Sequence, residues 1–562
     1  MAAAAHPASA QQESFDVPAR CEGQRIVAID VRTEPPHLGG IFRRAPAIAR
    51  LARDLHTTTR APVVRRFLAL KLGGTCSELR RAESERILRA QPFLSDAVVR
   101  VFEDVGGVRV VVTTEDELSL LAGLAARSPA RPVALKLGNA NFQGSGTYAL
   151  VEWREGDFYR DTWGAKFLDY QFLGRPYQLE AVAQRRRLGQ EWRAELSHPY
   201  FTDLQRVAWR LNGGEWRDYR GFIAPVGLPP KLETRRRWSD LGGIVRIGVP
   251  GRLSLFGASI SREEEWTDEE PFFETDTGLV LASGAIDELR GRYGRHRTAR
   301  INALWGVRNV RFMRVRGFDA ITGAQDVRVG MQFGTLFGRG LSVFGAEDDD
   351  MFIALDAYAG FGGPWSFAAL EVLGEGRQNY DENRWDGVLT SGRGAWYLRM
   401  SPHHTQVTSL EMSGGWRQRV PFQLTMADFT GGVRGYSESR LAGGQRIVAR
   451  TEHRWMIGTP WDASDLAIAG FADAGRLKAG DVPFGVDTPI QSSVGLGIMA
   501  AVPSGSRRAF RVDFVFPLSP GAERNFELRL SSTNAVRQFW REPDDVAVSR
   551  ERSVPSNVFS WP

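Results

Sequence analysis

The stretch FTGGVRGYSESRLAGGQRIVARTEHRW, from Phe429 to Trp455, couples a glycine-flanked arginine loop to the clearest two-residue alternation in the chain. From Arg446 to Trp455 one parity carries Arg446, Val448, Arg450, Glu452 and Arg454. The other carries Ile447, Ala449, Thr451, His453 and Trp455. Successive side chains of a strand point to opposite faces, so this reads as a loop followed by a strand with one charged and one mostly apolar face. A soluble sheet also alternates, but three arginines and a glutamate on one inner face suit a water-filled barrel lumen better than a hydrophobic core. The expected fold is therefore β-rich, an antiparallel transmembrane β-barrel.

Composition agrees with a wet barrel. The 562 residues include 60 Gly and 16 Trp, are 10% aromatic and 25% charged, and have slightly negative mean hydropathy. No run of about 18 apolar residues exists, which excludes a membrane helix but not a barrel, whose strands need only about ten alternating residues each. The formal net charge of +6 would also suit nucleic acid, but the basic residues are dispersed through alternating strands and no nucleic-acid module is recognisable.

Val433, Arg434, Gly435 and Tyr436 resemble the Val-Arg-Gly-Tyr/Phe signature of the outer membrane protein eighty-five superfamily: barrel-assembly insertases, translocation-and-assembly proteins and two-partner secretion transporters. A second copy at Val315 to Phe318 shows that four residues recur readily. Order decides, because the family places the motif loop before its last few strands and only the copy at 433 leaves that length of chain. Downstream, Gly470 to Gly475, with Phe471, Asp473 and Gly475, resembles the family's Phe-x-Asp-x-Gly strand. Ser493 to Gly497, with Gly495 and Gly497, resembles the Gly-x-Gly strand that follows. The resemblance implies a barrel of sixteen strands and a loop that folds into the lumen, where Arg434 pairs with Asp473. Glu452 points into the same lumen and is expected to join the pair, Gly435 to permit the tight tip, and Tyr436 to pack beside it.

Residues 24–117 read as a β-α-α-β-β unit. Arg25 to Val31 alternates as a strand. Thr59 is placed to cap a helix through Leu68, with Val63, Val64, Phe67 and Leu68 inward. Ser77 is placed to cap a second through Ala90, burying Leu79, Ile87 and Leu88. Val98 to Phe102 and Val108 to Thr114 form a hairpin at Gly106-Gly107. This order resembles a POTRA domain, the family's periplasmic module, with a Pro-rich insertion at 33–58 and an extra helix at Ala45 to Leu55. A POTRA domain implies strand capture at an exposed sheet edge; bracing or plugging the barrel mouth is the alternative. Cys21 and Cys76 either form a bridge, worth about 3–4 kcal/mol in the chain-entropy model in an oxidising periplasm, or remain two buried thiols.

The remaining divisions are a secretory-signal remnant at 1–10, a linker at 11–23, a connector at 118–131, the barrel at 132–532 and a polar tail at 533–562, folded into the lumen or along the wall. Leu137 to Gly146 resembles the family's start of its first barrel hairpin, and Glu195 to Phe201 an early barrel segment. In one hairpin Leu168, Tyr170 and Phe172 precede a turn at Gly174-Arg175-Pro176. Leu168, Tyr170 and Phe172, like Tyr177, Leu179, Ala181 and Ala183 after the turn, are expected outward, and Gln178, Glu180 and Gln184 inward. Val512, Phe514, Phe516 and Leu518 alternate with Arg511, Asp513 and Val515, and Asn525 to Ser531 would close the barrel.

Glu347 to Asp350 lacks the spaced ligands of a calcium loop and reads as a solvated acidic loop. Arg185 to Arg187 and Arg235 to Arg237 read as lumen or rim charges, with lipopolysaccharide phosphates as the alternative partner. His403-His404 has no third ligand nearby. No metal spacing, P-loop or nucleophile elbow is present in the sequence, so the expectation is no enzyme, no metal and no cofactor. The resemblance implies assembly or translocation at the bacterial outer membrane, with the POTRA domain in the periplasm. Partners would be unfolded outer-membrane or secreted polypeptides, outer-membrane lipids and lipopolysaccharide, and periplasmic or lipoprotein subunits, with no nucleic acid. The alternatives are a dedicated secretion transporter for one passenger and a porin-like diffusion channel.

Overall fold

The computed structural model describes residues 17–36, 56–128, 131–156, 159–224, 227–282, 288–380, 382–460, 464–520, 522, 524–534, 539–552 and 554. The signal remnant at 1–10, most of the linker, the helix at 45–55 and the end of the tail lie outside them.

The amino-terminal unit runs β1 (Glu22–Glu34), α1 (Ala61–Arg66), β2 (Thr75–Ser77), α2 (Glu78–Arg89), β3 (Leu94–Asp104) and β4 (Gly107–Asp116). Its sheet has the order β2-β1-β4-β3, with β1 parallel to β4 and β3 antiparallel to it. That is the expected β-α-α-β-β order plus one short strand. Val63, Val64, Phe67, Leu68, Ile87 and Leu88 are buried, each side chain contributing about 1.5–3 kcal/mol on burial. Leu79 is instead 49% exposed, on the outer side of the first turn of α2. Ser77 caps α2, its hydroxyl accepting from the Arg80 amide at 3.4 Å. Thr59 does not cap α1. Its amide and hydroxyl both donate to Asp116 at 2.7 Å, while Asn141 of the barrel donates to its Oγ1 at 2.7 Å, so the residue serves the domain junction. Cys21 and Cys76 form a disulfide beside this core.

Among the described residues the second sheet is a closed antiparallel barrel of 22 strands. It begins with β5 (Leu120–Ser128), β6 (Arg131–Asn139), β7 (Thr147–Arg154), β8 (Thr162–Asp169), β9 (Gln178–Arg185) and β10 (Gln190–His198). Longer strands follow: β11 (Val207–Gly221), β12 (Pro230–Val249), β13 (Arg252–Thr267), β16 (Arg295–Val315) and β17 (Gln325–Gly340). Between β13 and β16, β14 (Phe272–Thr275) and β15 (Gly278–Leu281) make a rim hairpin, and β13 pairs directly with β16 beneath it. The circuit continues with β18 (Asp350–Gly362), β19 (Ser366–Asn379), β20 (Arg384–Arg399) and β21 (His404–Trp416). A two-residue pair inside the loop, β22 (Leu424–Thr425) and β23 (Ala442–Gly443), stands apart from the wall. The last strands are β24 (Gln445–Gly458), β25 (Asp465–Lys478), β26 (Gln491–Ala501), β27 (Arg508–Pro517) and β28 (Glu527–Asn534), and β28 meets β5 to close the ring.

The expectation of sixteen strands is therefore corrected: without the rim hairpin, twenty traverse the wall. The count had come from the resemblance and not from residues, and strands rich in glycine and arginine between 215 and 425 hide their boundaries. The connector at 118–131 is also corrected, since β5 lies within it. LLAGLAARS carries no polar alternation to betray a strand.

The outer face is apolar. Leu241, Phe256, Ile260, Trp305, Phe337, Trp396, Ile447, Leu496 and Phe514 are all exposed, while inward positions such as Arg236, Arg246, Arg300 and Arg308 are buried. An apolar belt outside a polar interior is what lipid outside and water inside require, because a closed sheet satisfies its backbone without an edge. One hairpin departs from its expected facing. Phe167 points outward and Leu168 inward, and Tyr170 is buried against Phe93 of the amino-terminal unit, ring centroids 5.7 Å apart.

The amino-terminal unit sits against the turns at one end of the barrel. Arg86 of α2 donates to the Phe201 carbonyl at 2.8 Å, Arg89 forms a two-pronged pair with Asp326 at 2.8 and 3.0 Å, and Ser506 donates to Glu117. Arg507 donates to the Gln91 carbonyl at 3.2 Å and also to the carbonyls of Arg89 and Leu94, just past the end of α2. There a cation complements the helix's unpaired carbonyls. Glu195 to Phe201 supplies the end of β10 and the turn that this helix rests on. Leu137 to Gly146 supplies the turn between β6 and β7, one hairpin later than expected.

Candidate functional site: the lumen loop and its anchor

The β21–β24 loop enters the barrel from the opposite end and lays Val433 to Tyr436 against β24 to β27. Arg434 forms a planar two-pronged pair with Asp473 of β25: Nε to Oδ2 at 2.7 Å and Nη2 to Oδ1 at 2.7 Å. Its third arm, Nη1, donates to Glu452 Oε2 at 3.1 Å, as expected. The guanidinium also lies 3.6 Å above the centroid of the Phe471 ring. A fork matched to a carboxylate and stacked on an aromatic face is a role lysine cannot fill. Burial opposes the Arg434 charge, but Asp473 and Glu452 outweigh it and hold its pKa above the ordinary value.

The motif glycines have a single geometric purpose here. Gly435 has φ +89°, and a Cβ there would lie 2.9 Å from Pro517 Cγ. A Cβ at Gly475 would stand 2.7 Å from Val433 Cγ2, one at Gly495 2.4 Å from the Phe471 ring, and one at Gly497 2.4 Å from Asp513 Oδ1. Gly435 thus lets the loop tip lie against β27, and the other three clear space for Val433, Phe471 and Asp513. Val433 and Tyr436 are buried beside Leu424, Met426 and Leu477. The Tyr436 hydroxyl lies 3.0 Å from the Ser492 carbonyl and 3.2 Å from that of Ser519, tying the loop to the turn after β27.

The lock is larger than the sequence reading made it. Arg511 donates to Glu452 at 2.8 Å and to Asp513 at 2.5 Å, and Arg454 donates to Glu452 at 2.6 Å. Arg529 of the closing strand joins Asp513, at 3.3 Å, to Asp428 of the loop. The inward parity of Arg511 and Asp513 was visible in β27; their partners were not, because strand neighbours depend on register. The other copy, Val315 to Phe318, belongs to the turn at the amino-terminal domain's end. Its Phe318 stacks on Tyr397 at 4.9 Å, and its Arg316 lies 4.0 Å from Asp96.

The other charged clusters resolve into ion pairs. Glu347 meets Arg297 at 2.9 Å, Asp348 meets Arg419 at 3.0 Å, Asp349 meets Arg339 at 2.5 Å and Asp350 meets Arg300 at 2.7 Å. The acidic run is thus a rim ion-pair cluster more than a solvated loop. Arg186 pairs with Glu191 and Asp218, Arg187 with Glu274, and Arg236 with Glu263 and Glu265. His404 meets His453 at 3.1 Å on the outer wall.

The polar tail folds into the lumen. From Phe539 to Arg552 it crosses the barrel, with α3 (Asp544–Ala547) directly under the loop. Arg446 of β24 holds both at once, donating to the carbonyls of Thr425 and Thr430 at 2.6 and 2.9 Å and to the two oxygens of Asp545 at 2.7 and 3.1 Å. Burial pushes the Asp545 carboxyl above its ordinary pKa against the pull of Arg446. A cavity of about 960 Å³ lies along the ends of β6 to β12, lined by Lys136, Glu152, Arg154, Arg186, Lys231 and Glu274 among others.

No family model matches the chain, and no curated protein does. Among solved structures it is similar to the protein described as BamA from Haemophilus ducreyi lacking POTRA domains 1–3, at 13% identity over 90% of this chain and 85% of that one, TM-score 0.36. It is likewise similar to CdiB from Acinetobacter baumannii, at 11% identity over 91% and 74% of the two chains with TM-score 0.39. For CdiB from Escherichia coli the figures are 12%, 93% and 91%, with TM-score 0.36.

Proposed function

We propose that this protein is an outer-membrane member of the outer membrane protein eighty-five superfamily. In this reading it receives unfolded polypeptide through its amino-terminal POTRA-like domain and inserts it into, or passes it across, the membrane. The observation that carries the reading is the two-pronged Arg434–Asp473 pair, which joins a lumen loop bearing Val-Arg-Gly-Tyr to the Phe-x-Asp-x-Gly strand. The pairing was expected from three sequence motifs in order, and the motif glycines leave room for the residues packed around it, Val433, the Phe471 ring and Asp513 among them. The apolar outer belt supports a membrane setting, and the domain at one mouth supports reception from the periplasmic side. No step requires a cofactor or a nucleotide.

A diffusion channel is the second reading, favoured by the 960 Å³ polar cavity along β6 to β12. Quantitative proteomics of outer-membrane and secreted fractions after depletion in the native host separates the readings. Broad loss of barrels indicates assembly, and loss of one surface or secreted protein indicates a dedicated transporter. An unchanged proteome overturns polypeptide handling and leaves the channel.

A further inference from the structure

The lumen wall holds the chain's own tail both by its backbone and by its charged side chains. Arg236 of β12 donates to the carbonyls of Val548 and Arg550 at 2.8 and 3.1 Å, and Arg393 of β20 donates to that of Phe539 at 2.9 Å. Glu375 of β19 accepts from the Glu551 amide at 2.9 Å, and Glu263 of β13 accepts from the Arg552 amide at 3.3 Å. Charged side chains of the tail add to this: Asp545 on Arg446, Glu551 on Arg300, at 3.2 Å, and on Arg377, Arg550 on Glu375 at 3.2 Å, and Glu542, which accepts from the Ser391 hydroxyl. Backbone contacts of this kind read an extended chain with little regard to its side chains.

Part of the wall charge keeps partners of its own, although Arg377 and Glu375 take their ion pairs from Glu551 and Arg550 of the tail. Arg300 keeps Asp350 at 2.7 and 3.1 Å, Arg236 keeps Glu263 at 2.6 and 3.0 Å, and Arg446 keeps the Thr425 and Thr430 carbonyls of the loop. Removing the tail therefore leaves Arg300, Arg236 and Arg446 with partners, while Arg377 and Glu375 must turn to water or to another occupant. The apolar content of the contact is Val546, fully buried, Trp540, nearly so, and Phe539, which packs edge-on against Tyr358 with ring centroids 6.0 Å apart.

We propose that the lumen face of β12, β13, β16, β19, β20 and β24 is a binding track for an extended polypeptide bearing carboxylates, and that residues 539–552 are its resident occupant, displaced when a passenger enters. This rests on the polypeptide-handling reading and adds to it a site, a ligand class and a self-occluding state. Because Arg446 grips loop and tail together, departure of the tail also releases one hold on the loop.

The test compares the full chain with its Asp545→Arg/Glu551→Arg variant in planar bilayers, after a heat-modifiable gel shift has shown that each is folded. The expected result is a several-fold rise in steady conductance for the variant, reversed by a synthetic peptide of residues 535–562. The same peptide with both acids changed to Arg should need at least tenfold more to do so. Wild-type conductance in the folded variant overturns the proposal, as does equal closure by the two peptides. Should the variant not fold, a chain ending at Asn534 receives the same peptides and is judged by the same outcomes. No passenger is present, so these results stand whether the depletion proteome changes or not.

Discussion

Two arcs of the same wall present very different interiors. Along β16 the inward residues Thr298, Arg300, Asn302, Leu304 and Arg308 are all buried. Along β6 to β10 Lys136 and Arg154 are exposed, and the side chains of Lys166 and Arg193 are 36% and 40% exposed. The first arc is covered by the loop and tail, whereas the second faces the open cavity and ends at the β5–β28 closure. The arcs also differ in height: β7 to β10 have 8 or 9 residues, while β12 and β16 have 20 and 21. The chemistry follows from the water. On the covered arc each charge must find a designated partner, and on the open arc water can serve as one.

The largest expected effect is therefore confined to the covered arc. Arg434→Ala leaves the fully buried Asp473 carboxylate without its main partner, which should cost about 3–5 kcal/mol of loop docking. Hydrogen exchange at residues 431–437 should accelerate by orders of magnitude while the barrel still inserts. Protection at wild-type levels would show that the loop is held by Tyr436 and Val433 instead. In the open arc, Glu180→Gln disturbs half-exposed pairs with Lys166 and Arg193 and should alter barrel stability by less than about 1 kcal/mol.

Glycines sharpen the contrast at an intermediate scale. A methyl at Gly495 would meet the rigid Phe471 ring beneath Arg434, so Gly495→Ala should destabilise the lock by about 1–3 kcal/mol, read as faster exchange at Arg434. At Gly164 in the open arc the added methyl would meet only the end of the Glu152 side chain. That side chain can swing into the cavity, and Gly164→Ala should leave denaturant midpoints of the barrel nearly unchanged. Equal effects at the two sites would mean that the arcs do not differ in rigidity.

Of the covered arc, only the stretch around β24 to β27 was legible in the sequence. Arg446 to Trp455 betrayed its facing because lumen charge and lipid-facing apolar residues alternate there without interruption. The pairing of Arg434 with Asp473 and Glu452 was anticipated because the motifs stand in order. What was not legible depended on distance along the chain. Arg529 reaches Asp428, and Glu551 reaches Arg300, across separations that no local pattern encodes. The strand count failed where glycine and arginine blur alternation. Leu168 was misassigned because the end of its strand packs on the amino-terminal domain, so an apolar residue inside the barrel is satisfied there without lipid.

The junction between domain and barrel yields the smallest effect, and a pH dependence of definite sign. Glu117 is 4% exposed between β4 and β5, with Ser506 donating to both its oxygens at 2.9 and 2.8 Å. Burial raises its pKa, although Ser506 and the nearby Arg508 and Arg507 oppose the rise. An acid whose folded pKa lies above its unfolded value contributes stability that is full below the unfolded value, about 4.3 for a glutamate, and is lost as pH rises through the folded one. The junction should therefore loosen as pH rises through that window. Glu117→Gln keeps an acceptor for Ser506 and removes the titration, so protease nicking near residues 116–119 should become independent of pH while the parent chain is cut faster at the higher pH. A parent chain cut faster at the lower pH would reverse the sign and show that the carboxylate, and not the neutral acid, is the form the junction holds.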